Sequence, residues 1–226
     1  MNCRPASAGR AAGQAASIDN MYLDLTHSFN ENMPVFPGDP APELVKIADV
    51  RRDGFLDHKI SSSMHIGTHM DAPAHLVEGG KYLSDFAPEK FFGRGVIIDA
   101  RGKSAAGVDL LDKAVIKPND IVLVCFGWSS EFYKDQYYLN YPEISEQLAG
   151  KLSMMGINAV GMDTPSPDRA PYNAHKILFA KDILIIENLT NLEALLHHKN
   201  FEVTALPVKF KTDSAPCRVV AKVDKI

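Results

Sequence analysis

At 226 residues, with 46% hydrophobic and 23% charged content, the chain is long enough for one domain with an ordinary core. Its 24 basic and 28 acidic residues are interspersed, the formal net charge is -4, and no Lys/Arg-rich block offers a footprint for nucleic acid. No apolar run approaches the roughly 18 residues needed to cross a bilayer, and the scattered Cys3, Cys125 and Cys217 make no disulfide framework, which fits a cytoplasmic protein.

Residues 1–20 are rich in Ala, Gly and Ser and lack an apolar stretch, so they read as a disordered N-terminal extension rather than a secretory signal. Met21 is an alternative natural start, and the folded domain is expected over 21–226. "ELVKIADV" (43–50) and "FLDHKISSSM" (55–64) alternate apolar and polar residues and predict half-buried, antiparallel strands. "GVIIDA" (95–100), "DIVLVCFGW" (120–128), "NAVGMD" (158–163) and "DILIIENL" (182–189) are short β-rich runs that predict buried strands, with Cys125 a small core residue. The clearest helix is 142–156, with Pro142 in its first turn and Gly156 as its stop; others are expected over 108–116, 173–180 and 190–197. "LPVKFKT" and "CRVVAKV" read as a closing strand pair. Strands first, then alternating strand and helix, predict one α/β domain with a mixed sheet.

Three of the eight histidines fall within "HIGTHMDAPAH" (65–75). His65, His69, Asp71 and His75 are spaced by even offsets, so an extended chain puts them all on one face. A straight strand would hold His65 and His69 about 13 Å apart, too far to share one metal at about 2.1 Å per nitrogen. The chain must bend, and Gly67 permits it, while Thr68 can bond its own backbone in the turn and Pro73 stiffens the exit. Two imidazoles and a carboxylate suit Zn²⁺, Mn²⁺ or Fe²⁺. A ligand set with an open position can activate water for attack on a carbonyl. His75, slightly offset, is placed to carry protons. Glu187, at the end of an apolar strand, needs a cationic or metal partner unless it faces solvent.

"HIGTHMDAPAH" resembles the His-x-Gly-Thr-His-x-Asp-x-Pro-x-His motif of the metal-dependent cyclase family, which includes bacterial kynurenine formamidase and is related to isatin hydrolase. The resemblance runs from Tyr22 to the C-terminus and includes "FPGD" (36–39), "GMDTPSPD" (161–168) and the segment carrying His175 and Glu187. It implies a swivelling β/β/α fold, a homodimer, and a binuclear Zn²⁺ or Mn²⁺ site. His65, His69 and Asp71 would hold one ion; Asp71 would bridge to a second held by His175 and Glu187; His75 would be the general acid/base. The implied activity is hydrolysis of an amide C–N bond in a small molecule, an arylformamide or a related cyclic amide, by metal-bound hydroxide. Phe36 stands where kynurenine formamidases characteristically carry a Trp that stacks on substrate; it offers a smaller ring without an N–H. Ser166 and Asp163 either line the pocket or build the turn in "DTPSPD", and the aromatic "FYKDQYYLNY" segment is either a dimer surface or a lid. Two other readings use the same residues: a cyclase or dehydratase of a biosynthetic intermediate, and a non-catalytic metal-stabilised binding protein.

Overall fold

The computed structural model describes residues 20–224. Apart from Asn20, which opens the first strand, the N-terminal extension lies outside the described residues. In chain order the elements are β1 (Asn20–Asp24), β2 (Glu43–Ala48), α1 (Val50–Asp53), β3 (Asp57–Ser61), β4 (His69–Asp71), β5 (Phe92–Asp99) and β6 (Ala105–Ala106). There follow β7 (Ile121–Cys125), β8 (Glu143–Ile144), α2 (Glu146–Met154), β9 (Ala159–Met162), α3 (Asn173–Phe179), β10 (Leu184–Glu187), α4 (Leu192–Leu195), β11 (Phe201–Pro207) and β12 (Ser214–Asp224).

The apolar runs form the parallel centre of the sheet: β5, β7, β9 and β10 lie side by side. Every residue of β7 is buried, as expected of a strand covered on both faces. Antiparallel β4, β12 and β11 then link β10 back to β5, so the mixed sheet closes on itself as a barrel. Residues along β7 alternate between two cores. Leu123 packs inside with Met70, Ile186 and Val219. Val122 and Val124 pack outside under Leu148 and Leu152 of α2 and Leu178 of α3. At about 2 kcal/mol per fully buried aliphatic side chain, these two layers are the main source of stability.

Four local expectations are corrected. The β2–β3 pair exists and is antiparallel, but it is a separate ribbon with β3 exposed throughout; alternation marks a pleat and does not say that one face is covered. The helix at 142–156 starts later: Ser145 caps it by accepting a hydrogen bond from the Leu148 N–H at 3.2 Å, and Pro142 lies ahead of β8. Gly156 does end that helix, at φ +67°. Residues 108–113 wind as a 3₁₀ helix. Of the C-terminal pair, β11 begins at Phe201, and all of "VKFKT" lies in the connection to β12.

Asp163, just past β9, is structural. Its carboxylate accepts the N–H groups of Phe126 and Trp128, both at 2.9 Å. Burial pushes its pKa up to about 6. The folded state therefore holds this proton more tightly than the unfolded chain. Its contribution is full below about pH 4 and is lost as pH rises through about 6, by at most about 3 kcal/mol. Asp163→Asn is expected to flatten the fall in thermal midpoint between pH 4 and 6, measured calorimetrically against the parent. An identical pH profile in both proteins would show that Asp163 ionises freely.

Candidate metal centre

The bend required after His65 is present. Gly67 has φ +55°, a torsion that favours glycine, and a Cβ there would lie 2.3 Å from Met33 Cε and push that flexible side chain aside. Thr68 does not close its own turn. It donates to the Asn188 carbonyl at 2.6 Å and accepts the His27 N–H at 3.0 Å, across the fold. The chain then extends as β4, clamped on both edges. His69 lies opposite Glu187 of β10, and Asp71 opposite Ser214 of β12. Pleating sends Met70 into the inner core and turns His69 and Asp71 to the other face. Pro73 opens a 3₁₀ turn that ends on His75. His175 comes from the first turn of α3, buried rather than exposed.

His65, His69, Asp71, His75, His175 and Glu187 converge, while Asp163 lies outside the cluster. His65 Nδ1 is 3.1 Å from Asp71 Oδ1, and His69 Nε2 is 3.4 Å from the same oxygen. His69 Nε2 is 3.2 Å from Glu187 Oε2, and His175 Nε2 is 3.5 Å from Glu187 Oε1. Two donor sets form in this cluster, His65–Asp71–His75 and His69–Asp71–Glu187, each with ligand atoms within 4.8 Å of one another and Asp71 common to both. His75 thus stands nearer the ligand cluster than its offset suggested.

The opposite nitrogen of each histidine is held by an acceptor: His69 Nδ1 by the Gly67 carbonyl (2.8 Å), His175 Nδ1 by Asp168 (2.5 Å), His65 Nε2 and His75 Nδ1 by Asp213 (2.9 and 3.2 Å). Such partners fix tautomer and ring orientation, the usual support of a metal-binding imidazole. Asp168 and Asp213 were not identified from sequence. Asp168 stands seven residues before His175, at the end of "DTPSPD", and that proximity was a usable signal. Asp213 had none.

The electrostatics demand positive charge. Burial opposes charge on His65, but Asp71 and Asp213 outweigh it and push its pKa up to about 10. Burial is likewise overcome at His175, where Asp168 and Glu187 raise the pKa to about 9. Asp71 is held well below the carboxylate range despite burial, chiefly by His65 and His69. His69 Nε2 and both Asp71 oxygens are buried without a hydrogen-bond partner. Buried polar atoms left so are costly, and a divalent cation would satisfy all three. The donor set, imidazole and carboxylate without thiolate, fits Zn²⁺ or Mn²⁺.

The cluster floors a cavity of about 240 Å³ whose walls include Phe36, Tyr138, Tyr141 and Tyr172 and whose lining has no Lys or Arg among the described residues. Phe36 is 42% exposed and meets Tyr138 edge-on with ring centroids 5.6 Å apart, so it is not a core aromatic. Ser166 does both things expected of it: it lines the cavity and closes the turn by donating to the Asp168 carbonyl at 2.8 Å. The aromatic segment forms a wall. Tyr137 is buried with its hydroxyl on Asn188 Oδ1 at 2.8 Å, and Tyr138 and Tyr141 face the cavity.

A sequence model of a family described as putative cyclase matches residues 23–169. A kynurenine formamidase of Erythrobacter litoralis is 26% identical over 204 residues, 88% of this chain and 92% of its own length. A solved structure described as a potential metal-dependent hydrolase with cyclase activity superimposes with a TM-score of 0.78 at 27% identity, covering 92% of this chain and all of the other (100%). Isatin hydrolase A of Labrenzia aggregata shares the fold, with a TM-score of 0.83 at 24% identity over 93% of this chain and 96% of its own.

Asp168→Asn replaces one charged acceptor behind His175 with a donor, and it also weakens the bond from the Ala174 N–H at 2.7 Å. Zn²⁺ affinity, read by competition with a chelator, is expected to fall about 10- to 100-fold. Unchanged affinity would mean that His175 is not held for a metal.

Proposed function

The chain belongs to the cyclase family, and from that membership we propose that it is a metal-dependent hydrolase cleaving the C–N bond of a small aromatic amide. The substrate class is an arylformamide such as N-formylkynurenine, or a related cyclic amide. The reading rests on one observation above all: buried imidazole and carboxylate atoms without partners open onto an aromatic-walled cavity. The names of the relatives point the same way. His65, His69 and Asp71 would hold one Zn²⁺ or Mn²⁺, and Asp71, His175 and Glu187 a second. The same proposal takes in a homodimer in the cytoplasm and the swivelling β/β/α arrangement of the family.

Bound divalent cations supply Lewis-acid polarisation of a carbonyl oxygen and make water a stronger acid. This chain's residues supply the rest. Phe36 and Tyr138 offer ring edges and faces to an aromatic substrate. The cavity's protein walls displace bulk water and strengthen the field of the charged groups at its floor. As the water oxygen bonds to carbon, His75 takes the proton that the water gives up, and it passes that proton to the departing nitrogen as the C–N bond breaks. Burial, with the neighbouring His65, lowers the His75 pKa against the pull of Asp71, which favours its release of a proton.

Hydrolysis of at least one of N-formylkynurenine, formanilide and isatin is expected, lost on chelation and restored by Zn²⁺ or Mn²⁺. No turnover of any of them by the metal-loaded protein would remove the amidase reading. His69→Ala is expected to lose both metal and turnover. His75→Ala should keep its metal while kcat drops about 10²- to 10⁴-fold. Equal metal loss in the two variants, by elemental analysis, would make His75 a ligand instead.

A further inference from the structure

We infer that Asp213 is the positioning residue of this site, one carboxylate that sets the ring proton of His75 and of His65 together. The inference rests on the proposed roles of those histidines. Asp213 Oδ2 lies 2.9 Å from His65 Nε2 and 3.2 Å from His75 Nδ1. The two rings stand 4.2 Å apart between centroids, tilted by 40°. An ionised carboxylate only accepts, so both rings turn an N–H to it. With a cation bound, His65 then has its lone pair on Nδ1, the atom facing Asp71 at 3.1 Å. His75 has its proton on Nδ1 and its lone pair on Nε2, and one tautomer out of two is selected.

The backbone makes this placement rigid. The Asp213 carbonyl accepts the Ala72 N–H at 2.8 Å, and the Thr212 carbonyl accepts the Leu83 N–H at 3.1 Å. The next residue, Ser214, pairs with Asp71 across β12 and β4. The pairing that closes the barrel therefore delivers Asp213 to the strand that bears the ligands. Asp213 belongs to neither donor set, so it acts through the histidines. Its side chain is 37% exposed and packs no core, so a polar substitution leaves the fold standing.

The test uses the full chain loaded with Zn²⁺. In parent protein, long-range ¹H–¹⁵N spectra are expected to show His75 with its proton on Nδ1; in Asp213→Asn the other tautomer should appear. Zn²⁺ affinity of Asp213→Asn should fall about 10- to 100-fold in chelator competition. With an arylformamide, kcat should fall at least about 100-fold while KM stays within about twofold, and Asp213→Asn should add nothing further in a His75→Ala background. A proton on Nε2 of His75 in the parent, unchanged affinity and kcat in Asp213→Asn, or losses that multiply in the double variant would each overturn the assignment. Absence of amide turnover in the parent would count against the hydrolase reading alone, because the tautomer and affinity still report on Asp213.

Discussion

Asp71 is a buried carboxylate with neither oxygen hydrogen-bonded, on a three-residue strand paired along both edges. His65 approaches it to 3.1 Å without the alignment of a hydrogen bond. Water cannot relieve this charge, and the strand cannot shift to expose it without opening the barrel. The surroundings therefore supply positive charge, through histidines and, on the proposed function, divalent cations. Burying an isolated carboxylate costs several kcal/mol in a real protein. A fold that keeps one in this state has a cation to place beside it.

The barrel turns that local demand into an address. β4 draws Glu187 from β10 on one edge and brings Asp213 beside it from the start of β12 on the other. α3 adds His175, and Asp168 holds that ring from behind. The segment after β7 contributes the aromatic wall, anchored by Tyr137 on Asn188. Asn188 in turn donates to the Gly67 carbonyl at 2.9 Å, the same oxygen that steadies His69. The aromatic wall and the histidine–carboxylate floor thus share a hydrogen-bond network.

Much of the centre was legible because its chemistry is local. Even offsets with a glycine break describe the bent chain at His65–Asp71, and the need for Gly67 is visible in its φ of +55°. The buried parallel strands were legible because a strand covered on both faces has to be apolar throughout. His175 was reached through family resemblance, since nothing local separates a buried helical histidine from an exposed one; Glu187 also had a local signal, a carboxylate at the end of an apolar strand. Asp213 was out of reach. It meets His65 and His75 only because β12 returns to β4, a pairing of residues more than a hundred positions apart that leaves no periodic trace. The exposed β2–β3 ribbon shows the converse limit: alternation was read correctly as strand and wrongly as half-burial, because what covers a face is decided elsewhere in the chain.

The central claim is that Asp71 and its histidines hold divalent metal. The most direct measurement is anomalous diffraction at the zinc and manganese absorption edges from crystals of protein purified without chelator. Two peaks are expected, one on each side of the Asp71 carboxylate, within bonding distance of His65 and His69 and of His175 and Glu187. Crystals without anomalous density there after soaking in Zn²⁺ and Mn²⁺, with the histidines still packed on the carboxylates, would contradict the claim.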